Sequence, residues 1–120
     1  MIFLDVCHSG QATETNVIRR LIPDGQGPFI MAACEQNQLS YEDPKVGHGL
    51  FTYSLMQAMG PDFRRLDKDS SGEMTCKQLF RYVDKKLPEL LASTGDPAKP
   101  RVQFPICFPQ SPPETVILKK

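Results

Sequence analysis

Two short apolar runs decide most of what this chain can become. Met1–Val6 reads MIFLDV and Phe29–Cys34 reads FIMAAC, with residues 7–28 between them. The first carries the β-formers Ile2, Phe3 and Val6, and a short, mostly apolar run of this kind suits a strand covered on both faces of a parallel sheet. A parallel connection needs a dozen or more residues. ATETNVIRRL, residues 12–21, can supply the crossover helix, and PDGQG at Pro23–Gly27 the turn that leads into the second strand. The first third of the chain is therefore expected to form a strand, helix, strand unit.

Helical spacing follows. In LFTYSLMQAM, Leu50–Met59, the residues Phe51, Leu55, Ala58 and Met59 share one face, and Gly60-Pro61 supplies a stop. TCKQ at Thr75–Gln78 has the form of a capping box, and Leu79, Phe80, Val83 and Leu87 recur at helical spacing behind it. Pro88 is expected to kink or end that helix. The apolar stretch Val102–Phe108 contains Pro105, which restricts it to an edge strand. The proline-rich residues 109–120 are expected to form a loosely ordered tail.

Composition narrows the function classes. The chain has 120 residues, of which 40% are hydrophobic, enough for the core of one domain or part of one. The 14 basic residues balance the 14 acidic ones, and no basic cluster exceeds a pair such as Arg19-Arg20 or Arg64-Arg65. Neither a nucleic acid nor a membrane surface is expected as a partner. No apolar run approaches the roughly 20 residues that span a bilayer, and the start lacks the pattern of a signal peptide, so a soluble, cytoplasmic protein is expected. Cys7, Cys34, Cys76 and Cys107 are too dispersed for a zinc site or a disulfide framework, and read as thiols in a reducing compartment.

Cys7 stands apart. It lies at the carboxyl end of an expected parallel strand, where open α/β sheets place their ligand sites, and Ser9 and Gly10 offer a tight turn beyond it. A nucleophilic thiolate needs a nearby imidazole or positive dipole to lower its pKa from about 8.5. His8 is badly placed for that role, because adjacent strand residues point to opposite faces. On strand position alone, a reactive thiol and an inert buried one stand level.

The motif LDVCHSG, residues 4–10, resembles the nucleophile motif of caspase-like cysteine peptidases, above all the metacaspases and their bacterial relatives. Later segments match in order. FIMAACEQNQLSYE (29–42) resembles the next core strand and its loop, and GHGLFTYSLMQAM (47–59) resembles the helix that follows. Asp67–Val83 resembles an Asp/Gly-rich loop with its helix, and VQFP (102–105) the Gln-x-Pro near the domain end. Gly10 stands three positions after the Cys, not two as in the QAC motif of true caspases, which points to the metacaspase side.

The resemblance implies a partial caspase-like three-layer α/β/α sandwich with a mostly parallel sheet over residues 1–108. It implies Cys7 as the catalytic nucleophile and Asp5 as a substrate-binding wall of the S1 pocket. Asp5 and Cys7 share a strand face, and a carboxylate there would pair with a substrate Arg or Lys. The implied substrate is a peptide or protein with a basic P1 residue. The Cys7 backbone N–H would be one oxyanion donor.

The family's catalytic His lies on an earlier strand, roughly 50 residues before the Cys. Only six residues precede Cys7 here, and His48, in Gly47-His48-Gly49, is read as a residue of a helix start. The chain alone is therefore expected to be inactive, with another chain or an upstream segment supplying the missing strands and base. The alternative is a non-catalytic caspase-fold remnant that acts as a binding module.

Two further motifs are weighed against simpler readings. Asp67–Gln78 (DKDSSGEMTCKQ) copies part of an EF-hand loop but has Gln78 where position 12 requires a bidentate Glu, so a turn and helix cap is preferred. Calcium activation occurs among relatives, and that resemblance does not locate an ion here. Arg19-Arg20 could be a self-processing site but reads first as a solvated helix face, and Tyr41 and Glu42 are candidates for the wall of a substrate cleft.

Overall fold

A computed structural model describes residues 2–4, 29–33, 41–43, 48–94, 101–108 and 112–120. The two apolar runs form strands where expected: β1, Ile2–Leu4, pairs in parallel with β2, Ile30–Ala32. β6, Ile106–Phe108, adds to the other side of β2 in the antiparallel sense, with Met31 opposite Cys107. β2 is thus the middle strand, and it is covered on both faces, since Met31 and Ile30 are both buried. Among the described residues β1 lies at a sheet edge, and there Phe3 is 37% exposed, not enclosed as the strand pattern suggests.

Three other pairs are antiparallel: β2 with β6, β3 (Glu42–Asp43) with β4 (His48–Gly49), and β5 (Glu73–Thr75) with β7 (Val116–Lys119). One of the four described pairings, that of β1 with β2, is parallel. The antiparallel members are two two-stranded pairs and an edge strand, with runs too short for a strand-length hydrophobic pattern. Pro105 stands immediately before β6, where its missing N–H costs no ladder bond.

Helix α1, Leu50–Met59, buries Leu50, Phe51, Ser54, Leu55 and Ala58. The buried Ser54 side chain donates to the Phe51 carbonyl at 2.7 Å, so its hydroxyl is satisfied inside the core. Gly60 follows, and the chain turns through Asp62, whose N–H donates to Gln57 O at 2.8 Å, into the single-turn helix α2, Phe63–Leu66.

Helix α3, Cys76–Ser93, begins at the capping box read from the sequence. Gln78 N–H donates to Thr75 Oγ1 at 3.1 Å, and Thr75 N–H donates to Gln78 Oε1 at 2.8 Å. Cys76, Leu79, Val83 and Leu87 form its buried stripe. Pro88 neither ends nor replaces this helix, which continues to Ser93. The bond that Pro88 cannot make belongs to the Asp84 carbonyl, and Asp84 lies on the exposed face of the helix. At the other end, Arg101 donates to the Leu91 and Thr94 carbonyls and satisfies groups that a helix terminus leaves open.

Residues 116–119 of the tail form a strand. β7 pairs with β5, Met74 opposite Leu118 and Glu73 opposite Lys119, with a bulge between Met74 and Thr75. Cys76 N–H donates to Thr115 O and Lys77 N–H to Pro113 O, so the tail also closes the first turn of α3. The β-forming run TVIL outweighs the prolines before it once β5 offers a partner.

The core lies between one face of the sheet and the helices. Phe29, Met31 and Ala33 from the β2 segment and Cys107 from β6 meet Phe51, Leu55 and Ala58 of α1, Leu79 and Val83 of α3, and Met74 of β5. This α/β packing accounts for the helical spacing of the middle third: α1 and α3 bury the faces that the periodicity marked.

Candidate active site

Parallel pairing of β1 with β2 sets Leu4 opposite Ala32, so both strands end on the same side of the sheet. From there the chain leaves β1 toward Asp5 and Cys7, and leaves β2 through Ala33. Asp5, Cys7, His8, Arg19, Arg20 and Cys34 lie outside the described residues.

The described residues at this sheet end converge on Gln103. Its side chain is fully buried although Val102 and Phe104 on either side are 54% and 41% exposed. Gln103 Nε2 donates to the Ala33 carbonyl at 2.8 Å, and Oε1 accepts from the Tyr41 N–H at 2.9 Å. One amide therefore ties the chain leaving β2 to the chain that returns 8 residues later at Tyr41. Burial of an amide is tolerated where donor and acceptor are both used.

Two further contacts hold Tyr41. Its carbonyl accepts from the Leu50 N–H at 2.9 Å, which fixes it to the start of α1, and the Arg101 guanidinium sits 5.0 Å from the centre of its ring. That is cation–π distance. Arg101 Nη2 also donates to Thr94 Oγ1 at 2.8 Å, so the end of α3 is joined to the same strand. Glu42 and Asp43 continue from Tyr41 into β3.

His48 lies in β4, paired with Asp43, and Gly49 is the cap residue of α1. Its backbone belongs to the ribbon that leads into the helix. The loop Asp67–Gly72 is braced internally: the Asp67 carboxylate accepts from Ser71 N–H at 2.9 Å and Gly72 N–H at 2.8 Å. Gln78, the position-12 residue of the EF-hand pattern, holds the start of α3 through its Oε1. The turn-and-cap reading describes this geometry.

The described thiols are packing groups. Cys76 and Cys107 are buried. Burial, then the nearby Asp84 and Cys76, push the Cys107 thiol up to about 11, and burial also raises Cys76. Such thiols are poor nucleophiles at neutral pH.

Sequence reasoning quoted VQFP as a likeness and missed the role of Gln103 in tying two segments together. The available signal was strand parity. Counting back from Cys107, which faces the core, positions 105 and 103 fall on the same side, and Gln103 then falls inside with its apolar neighbours outside.

A family model described as Caspase domain matches residues 1–114. The chain belongs to the caspase domain family. Its order of parts agrees with the expected partial caspase-like α/β domain: a strand leading to CHSG, a second core strand, helix α1, and helix α3 behind an Asp/Gly-rich loop. Membership in this family of cysteine peptidases supports a cysteine-peptidase-like function for the caspase domain. No curated protein and no solved structure shows significant similarity to it. Among the described residues, no helix is long and apolar enough to cross a membrane.

Proposed function

We propose that the chain carries the nucleophile of a metacaspase-type cysteine endopeptidase, with Cys7 as the attacking thiolate and Asp5 as the carboxylate that selects Arg or Lys at P1. The observation that carries this reading is the parallel register of β1 and β2, which starts the LDVCHSG segment at the sheet end beside Ala33 and the anchored Tyr41 strand. A substrate would lie across that end. The Cys7 sulfur would add to the carbonyl carbon next to the basic residue, the amine would leave with a proton from the base, and water would release the acyl group.

The base comes from outside these residues. His8 follows the nucleophile directly, and the backbone of His48 is committed to the β4 ribbon and the start of α1. The 120 residues alone are inactive in this reading, and another chain or segment supplies an imidazole together with strands beside β1. The cytosol, with its reducing poise, is the compartment that suits a free catalytic thiol.

The test is differential alkylation at pH 7 of the chain joined to the segment that supplies the imidazole, compared with the same assembly carrying Cys7→Ser. A reactive thiolate at Cys7 gives one fast iodoacetamide adduct that the variant lacks. Equal, slow labelling of both proteins would leave the non-catalytic remnant as the better account. Cleavage of an Arg-based fluorogenic peptide by the chain alone, abolished by Cys7→Ala, would overturn the statement that the base lies elsewhere.

A further inference from the structure

We infer that Gln103 is a positioning residue that sets the Tyr41 strand against the end of β2, and thereby holds one wall of the substrate cleft in place; this rests on the peptidase reading above.

Three observations carry it. Gln103 is fully buried between two exposed apolar residues, so its placement is not explained by hydrophobic burial of the segment. Both ends of its amide bond backbone groups far away in sequence, the Ala33 carbonyl and the Tyr41 N–H. Those two groups lie on either side of residues 34–40 in the sequence, and Ala33 follows β2 at the sheet end where β1 also ends. An apolar residue of equal size would fill the space and leave a buried donor and a buried acceptor unpaired, which costs far more than the lost bonds are worth in water.

The geometry also orders the contacts. Gln103 accepts from the backbone N–H of Tyr41, Leu50 donates to its carbonyl, and Arg101, itself bonded to the end of α3, covers its ring. Tyr41 is thus held from two sides, by residues 101–103 and by the start of α1, and the amide is the contact that ties it to the end of β2. A cleft wall built this way is set before substrate arrives, and the ordering cost of binding is reduced.

The test uses the full chain and residue-resolved amide exchange by NMR, with Gln103→Met and Gln103→Glu. Gln103→Met should speed exchange of the Tyr41 amide at least about tenfold while amides of Leu79–Leu87 in α3 keep their rates. Gln103→Glu should behave as wild type near pH 5 and resemble Gln103→Met near pH 8. A neutral Glu offers a carbonyl and an O–H in place of the amide's carbonyl and N–H. Burial raises its pKa above the ordinary value of about 4.3, so the bond pattern exists at low pH and is lost as pH rises through the raised value.

Unchanged Tyr41 protection in Gln103→Met would overturn the proposal, and so would a uniform rise across α1 and α3, which marks a general packing role. Anisotropy with a labelled Arg peptide separates the two readings. Weaker binding by Gln103→Met, about fivefold or more, supports both. No binding by the wild type overturns the peptidase reading alone, and exchange at Tyr41 still decides the anchoring.

Discussion

The Tyr82 hydroxyl donates to the Asp62 carboxylate at 2.5 Å and so joins the middle of α3 to the turn between α1 and α2. Burial raises the phenol pKa, and the bond to Asp62 raises it further. Unfolded tyrosine ionises near pH 10, whereas the folded phenol holds its proton beyond that. The stability from this contact is therefore complete below about pH 10 and lost as pH rises from there toward the raised folded value. Tyr82→Phe should cost about 1 kcal/mol at pH 7, discounted for partial exposure. Thermal melts should show the gap between wild type and variant shrinking above pH 10. A constant gap to pH 11 would contradict the assignment.

Thiol reactivity should divide the cysteines by environment. Cys76 and Cys107 are buried with raised pKa values, so neither should react with iodoacetamide within minutes at pH 7 in the native chain, and both should react in denaturant. Mass mapping of the adducts gives the answer. Fast native labelling at Cys107 would show that the face between β6 and α3 opens.

The start of α3 should respond as a coupled pair. Thr75→Ala removes the acceptor of the Gln78 N–H, and Gln78→Ala removes the acceptor of the Thr75 N–H. Each should lower stability by about 1 kcal/mol, and the double variant by less than the sum, because the two bonds order the same turn. Urea denaturation of the four proteins in the cycle measures the coupling.

Gly72 admits no side chain. Its φ is +72°, and a Cβ there would stand 2.3 Å from the Lys120 carbonyl oxygen, a backbone atom beside the bond from Lys120 N–H to Gly72 O. Gly72→Ala should cost more than about 1 kcal/mol and shift the β7 amides in NMR spectra. A variant with unchanged β7 resonances would place the tail elsewhere in solution.

These contacts also explain how far the sequence could be read. Capping and helical spacing act within a few residues, so Thr75–Gln78 and the buried stripes of α1 and α3 were legible before any fold was known. β1 and β2 were legible because an apolar run between turn signals has few other uses. Pairing of β5 with β7 was not, because Met74 meets Leu118 across the whole of α3 and the tail's prolines argued against order. That Pro88 does not end α3 was not legible for a related reason: the helix passes through it on a face where Asp84 is exposed, which is a property of the packed helix. At the candidate site, the LDVCHSG motif marked the sheet end, but the partners of Gln103 lie 70 and 62 residues away and leave no local trace.

The tail has a consequence for synthesis on the ribosome. Two of the N–H groups that open α3 are bonded to Thr115 and Pro113. The acceptors follow their donors by 39 and 36 residues, so the first turn stays incompletely tied until residues 113–115 have been made. Until then β5 also lacks its β7 partner, so Met74 and the start of α3 stay uncovered together.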